Sequence, residues 1–197
     1  MALGRCHTLT SVTITGENPS LAMRPREIFH PDQETLSPLL SLSNLTHLQL
    51  EPYRGFDIGD DMLRHLSLAF PHLYSLILGS LTFLWPIPSR ITLIGLIPLI
   101  ANCPKLHHLG IVIDATIIPD TFIFSPTQNT NIKTLQVGCS RISSLIGVTV
   151  APFLMDLFPN VTGIVHGWYE YPDSSRNELE AWNGVGSLLK DFGPGRR

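Results

Sequence analysis

The chain has 197 residues, of which 44% are hydrophobic and only 15% charged, enough for one domain with a sizeable core and too apolar for long disorder. Its formal charge of −3 creates no wide field for phosphate, which sets nucleic acid aside as a partner.

The first predicted element is a strand at Leu9-Thr10-Ser11-Val12-Thr13-Ile14, rich in the β-branched residues that strands favour. Gly16-Glu17-Asn18-Pro19 ends it with turn residues. A short helix over 34–42 follows, with Pro38 tolerated in its first turn. Next comes the clearest stretch of the chain, Leu45-Thr46-His47-Leu48-Gln49-Leu50. It reads L-x-x-L-x-L, and alternation in a strand sends Leu48 and Leu50 to one side and Gln49 to the other. Asp57 or Asp60 is placed to cap a helix running to Ala69, whose apolar face is Ile58, Met62, Leu63, Leu66 and Phe70. The next copy is Leu73-Tyr74-Ser75-Leu76-Ile77-Leu78. A helix over 93–101, capped by Thr92 and kinked or shortened at Pro98, leads to Leu106-His107-His108-Leu109-Gly110-Ile111. Residues 113–131 lack helical period and read as a long loop packed on the body. Ile132-Lys133-Thr134-Leu135-Gln136-Val137 is the fifth copy. A helix from Thr149 to Phe158, with Pro152 in its first turn, precedes a degraded sixth copy, Val161-Thr162-Gly163-Ile164-Val165-His166, where His166 stands at an inward position. A final amphipathic segment carries Trp182, Val185, Leu188, Leu189 and Phe192.

The copies start at 9, 45, 73, 106, 132 and 161, at intervals of 36, 28, 33, 26 and 29 residues. Such a period is the signature of leucine-rich repeats. The expected fold is α/β: a single domain over 1–197, built as a repeat solenoid (a partial horseshoe). Its parallel sheet lines the concave face, short helices and loops form the convex face, and 168–192 caps the end. The residues between the inward leucines then share the open side of the sheet, which curved solenoids use to bind extended partners. The candidate protein-binding residues on that face are His47, Gln49, Glu51, Ser75, Ile77, His108, Val112, Thr134 and Gln136.

Three cysteines, Cys6, Cys103 and Cys139, have no close spacing and make neither a disulfide framework nor a zinc motif. They fit a reduced compartment, cytoplasmic or nuclear. No signal peptide is read at Met1-Ala2-Leu3-Gly4-Arg5. The most apolar run, 91–101, is broken by Gly95 and Pro98 and is too short to span a bilayer. No membrane partner is expected. Eight histidines raise the question of metal or acid–base chemistry. His107 and His108 are adjacent, so in a strand they point to opposite sides. Pro104 forbids a helix joining Cys103 to His107. No three ligands are brought together by the pattern, and neither a Gly-x-Ser-x-Gly elbow nor a phosphate-binding glycine loop occurs. No catalytic residue, metal or cofactor is expected. Trp85, Phe122 and Phe124 lie in loops, where burial is the commoner fate of aromatics.

Several motifs in order resemble a known family. Leu42-Ser43-Asn44-Leu45-Thr46-His47-Leu48, Ala69-Phe70-Pro71-His72-Leu73, Asn102-Cys103-Pro104-Lys105-Leu106, and Leu157-Phe158-Pro159-Asn160-Val161 look like the repeat region of fungal, mainly mushroom-type, F-box and leucine-rich-repeat proteins. The resemblance covers about 40–192. It implies a substrate-recognition module of a Skp–cullin–F-box ubiquitin ligase. Such proteins open with a three-helix F-box led by a Leu-Pro pair, which docks on the Skp adaptor. No such segment precedes Leu9, so the chain is expected to correspond to the repeat part alone, as a truncated product would. The Skp adaptor is a partner only where an F-box lies upstream, and adaptor docking is carried over to no residue.

Overall fold

The computed structural model describes residues 8–16, 30–80, 88–118, 127–143, 147–168 and 176–193. The calls on Cys6, Trp85, Phe122 and Phe124 fall outside them. Six strands form one all-parallel sheet in chain order: β1 Ser11–Thr15, β2 His47–Glu51, β3 Ser75–Leu78, β4 His108–Ile111, β5 Thr134–Gly138 and β6 Gly163–His166. Five α-helices are described: α1 Gln33–Leu36, α2 Asp60–Ala69, α3 Leu96–Asn102, α4 Gly147–Leu157 and α5 Arg176–Phe192. A parallel neighbour needs a crossover, and crossovers of one hand keep the connecting segments on one face. The expected α/β architecture with a parallel sheet is present. The strands open at the same intervals as the sequence copies.

Register is strict. Leu48 pairs with Leu76, Leu76 with Leu109, and Leu109 with Leu135. These inward side chains are fully buried, together with Met62, Leu66, Leu99 and Leu154 from the helices. Replacing one of them by Ala opens a cavity, at a cost of about 2–5 kcal/mol.

Each unit enters its strand through the same small turn. The Leu45 amide donates to Leu42 O, Leu73 to Phe70 O, Leu106 to Cys103 O and Val161 to Phe158 O. Buried Asn129 replaces that carbonyl with its side chain: Oδ1 accepts from the Asn131 and Ile132 amides while Nδ2 donates to Leu106 O. Two consecutive amides at each strand start then share one carbonyl of the preceding unit. Thr46 and His47 donate to Thr10 O, Tyr74 and Ser75 to Thr46 O, His107 and His108 to Tyr74 O.

Helix boundaries differ from expectation for local reasons. The 34–42 helix divides into α1 and a 3₁₀ turn, Ser37–Ser41, which takes Pro38 near its start. Asp32 caps α1, accepting from the Thr35 amide at 2.9 Å. Hydrogen bonds from Thr35, first its hydroxyl and then its amide, hold the Asp32 carboxyl below its usual value. Gly59, not an aspartate, flanks the start of α2. Asp60 turns instead to the next unit and accepts from the Thr92 amide and hydroxyl, both at 2.7 Å. Its carboxylate fills the space where Gly95 would carry a Cβ. Helix α3 therefore begins late, at Leu96, and Pro98 falls in its first turn, where an amide proton is not needed. Helix α4 begins early, at Gly147, so Pro152 lies inside it.

Helix α5 lies on β6 and α4, burying Ala181, Trp182, Val185 and Leu189. The Trp182 and Trp168 indoles both donate to Ser140 O, at 2.8 and 2.9 Å. His166 is buried, with Nε2 against Asn183 Oδ1 of this helix at 3.2 Å. Phe192, expected on the apolar face, is 72% exposed because it lies in the last turn, beyond the packed surface. No described helix is long and apolar enough to cross a membrane.

Candidate functional site

The sheet face away from the helices carries two aligned columns. His47, Ser75 and His108 pair in register at the strand starts, and Gln49, Ile77, Gly110, Gln136 and Val165 pair one step further on. His47, His108 and Thr134 are exposed, and Gln49, Ser75, Ile77 and Gln136 are partly buried. Glu51 and Val112 depart from the sequence expectation. They are only 8% and 2% exposed, so neither presents its side chain to an external partner.

The reason lies in how the chain leaves the strands. Ser80, just after β3, turns back over the sheet, and its hydroxyl occupies the space a Cβ on Gly110 would fill. It also reaches Gln136 Oε1 at 3.5 Å. Gly79 and Gly138 make the turns with φ of 67° and 51°, the left-handed region that glycine enters without strain. Ser140 is a buried junction that accepts the Ile113 amide at 2.8 Å and donates to Val137 O. The ends of the strands are thus closed by the chain itself.

The starts of the strands remain open. A shallow groove of about 470 Å³ lies there, lined by Asn44, Thr46, His47, His72, Tyr74 and Lys105. Tyr74, 37% exposed, is its centre. The Tyr74 ring stacks on His107, with centroids 4.4 Å apart and planes at 19°. It meets His108 edge-on at 5.4 Å and His47 at a tilt, 5.5 Å away. Strand alternation does not separate His107 from His108, because His107 precedes β4 in the entry turn and both rings reach Tyr74.

Two of these imidazoles have assigned protons. The Thr46 hydroxyl donates its single hydrogen to Thr10 O, so the contact of His47 Nδ1 with Thr46 Oγ1 at 2.9 Å makes Nδ1 the donor. His107 Nδ1 lies 2.7 Å from Lys105 O, and a carbonyl only accepts. In the neutral rings Nε2 is therefore the bare nitrogen in both cases.

His47 and His108 are the two sequence candidates that the fold unites here. Gln49, Ser75, Ile77, Thr134 and Gln136 extend from them along the same face. His72, Tyr74, Lys105 and His107 are additions to the contact face expected from the sequence. A repeat-phase signal could have found them: Asn44, His72 and Lys105 share one offset before their strands, and Thr46, Tyr74 and His107 share the next.

Among the described residues no three His, Cys, Asp or Glu side chains are grouped to hold a metal. Cys103 and Cys139 are buried thiols. Burial raises them from 9.0 to about 12 and about 11 respectively, so neither is a nucleophile at neutral pH. A thiol raised by folding favours the folded state below pH 9.0 and loses that contribution as pH climbs toward 11–12. No protein-family model matches the chain, and no curated protein matches it significantly.

Proposed function

We propose that the chain is a leucine-rich-repeat solenoid acting as a non-catalytic protein-recognition module, of the kind that selects substrates for an F-box ubiquitin ligase. The observation that carries this reading is the open sheet face. In-register units set Gln49 beside Ile77 and Gln136 beside Val165, with the His and Tyr rings along the strand starts. A row of polar and aromatic groups on a rigid sheet suits contact with an extended partner. The ligase part rests on the motif resemblance alone, and Skp docking belongs to it only with an upstream F-box.

A binding experiment tests the recognition part. The immobilised chain is exposed to lysate and retained proteins are identified by mass spectrometry. A His47→Ala, Tyr74→Ala, Gln136→Ala variant that keeps the wild-type circular dichroism spectrum is expected to lose them. Retention of the same proteins by the variant would remove the face from consideration. The transcript upstream of Met1 tests the ligase part, which an in-frame F-box supports and a stop codon rejects.

A structural fragment with no partner is the second reading, favoured by one observation. Ile14 of β1 occupies the inward column, pairing with buried Leu50, yet is 55% exposed. Repeat arrays need their terminal units covered.

A further inference from the structure

The groove at the strand starts has a chemical character that the repeat architecture does not require. Its lining contains a lysine, two histidines, a tyrosine, an asparagine and a threonine, and none of these residues is Asp or Glu. The chain as a whole carries 16 acidic against 13 basic residues, so the groove runs counter to the average.

Resting on the recognition reading above, we propose that this rim binds an acidic segment of a protein partner laid across β2, β3 and β4. Lys105 supplies a fixed positive charge. His47 and His107 tie Nδ1–H to Thr46 Oγ1 and Lys105 O, which leaves Nε2 of each ring to the incoming group. Lys105 takes a carboxylate of the segment in a charge-assisted bond, and each bare Nε2 accepts an N–H of its backbone. Beside His47 are Thr10, Ser11, Tyr74 and Ser75; beside His107 and His108 are Tyr74 and Ser75; His72 and Lys105 complete the lining. Successive strands lie about 4.8 Å apart, so a segment crossing them meets one ring per unit. Tyr74 at the centre gives it an apolar surface to pack on.

The experiment is fluorescence anisotropy with the full chain and three labelled probes: a short glutamate-rich peptide, a lysine-rich peptide of the same length, and a single-stranded RNA oligonucleotide. Binding of the glutamate peptide alone is expected, weakening as salt is raised. Lys105→Glu should weaken it about tenfold, whereas Arg64→Glu, on the exposed side of α2, should leave it unchanged. Both residues are exposed, so neither variant threatens the fold. The proposal is overturned if the glutamate peptide fails to bind at low salt, if Lys105→Glu binds like the wild type, if Arg64→Glu weakens binding equally, or if the RNA binds in its place. Failure here, with lysate capture that is still lost on Tyr74→Ala, rejects the acidic partner and keeps the recognition reading. Failure of both rejects both.

Discussion

At the start of its strands the sheet leaves His47, Tyr74 and His108 at the surface; at their ends it buries Glu51, Ser80, Val112 and Ser140. The two rims belong to the same repeating unit, so the difference comes from what each turn must do. The entry turns satisfy their amides almost wholly with backbone carbonyls, as at Leu42, Phe70 and Cys103. Asn129, Thr46, Asn131 and Asn160 add side-chain bonds to the backbone there, while the remaining side chains differ from unit to unit. The exit turns must fold the chain over the sheet edge and out of water. They need left-handed glycines at 79 and 138, serine hydroxyls that pair with backbone groups at 89 and 140, and two indoles on one carbonyl. Exposed rings gather at the open rim, and buried serines and indoles bonded to backbone groups gather at the closed rim.

The largest test of this contrast is Trp182→Ala. It removes a fully buried indole and its hydrogen bond to Ser140 O at the closed rim, which should cost about 3–5 kcal/mol in chemical denaturation. In a Cys6→Ser background, Cys139 should then react with a thiol reagent before Cys103 does. A loss below about 1 kcal/mol would mean that the closed rim is not held by this helix. Next in size is Gly138→Val. A β-branched residue at φ 51° is strained, and its Cβ would meet Ser80 O and Val112 Cγ2, each at 2.9 Å. A loss of about 2–3 kcal/mol is expected, and an unchanged midpoint would refute the packing of the 79–80 turn on β5.

Much of this frame is legible in the sequence because it rests on period and alternation. Leu45, Leu48 and Leu50 announce the inward column, and their copies place every strand. The helix ends were less legible. Asp60 looks like a cap by its position, but the Thr92 amide and hydroxyl of the next unit compete for its carboxylate and win. Glu51 and Val112 follow the outward alternation and are buried nonetheless, since alternation gives the side of the sheet and not what folds over it. The rim cluster was missed for a related reason. Tyr74 and His107 precede their strands, and only the stacking of units brings their rings to 4.4 Å.

The smallest expected effect is the sharpest for the open rim. Tyr74→Ala removes a ring whose packing partners are the side chains of His47, His107 and His108. Exposed ring pairs contribute about 0.5–1.5 kcal/mol, and the Tyr74 backbone bonds from His107 and His108 remain. Stability should therefore fall by about 1–2 kcal/mol, against about 3–5 for Trp182→Ala. Tyr74→Phe keeps the stack and should be closer still to the wild type. Partner capture should follow the opposite order, lost with Tyr74→Ala while the chain stays folded. A Tyr74→Ala midpoint as low as that of Trp182→Ala would show that the rings brace the entry turns, and the division of labour between the rims would fail.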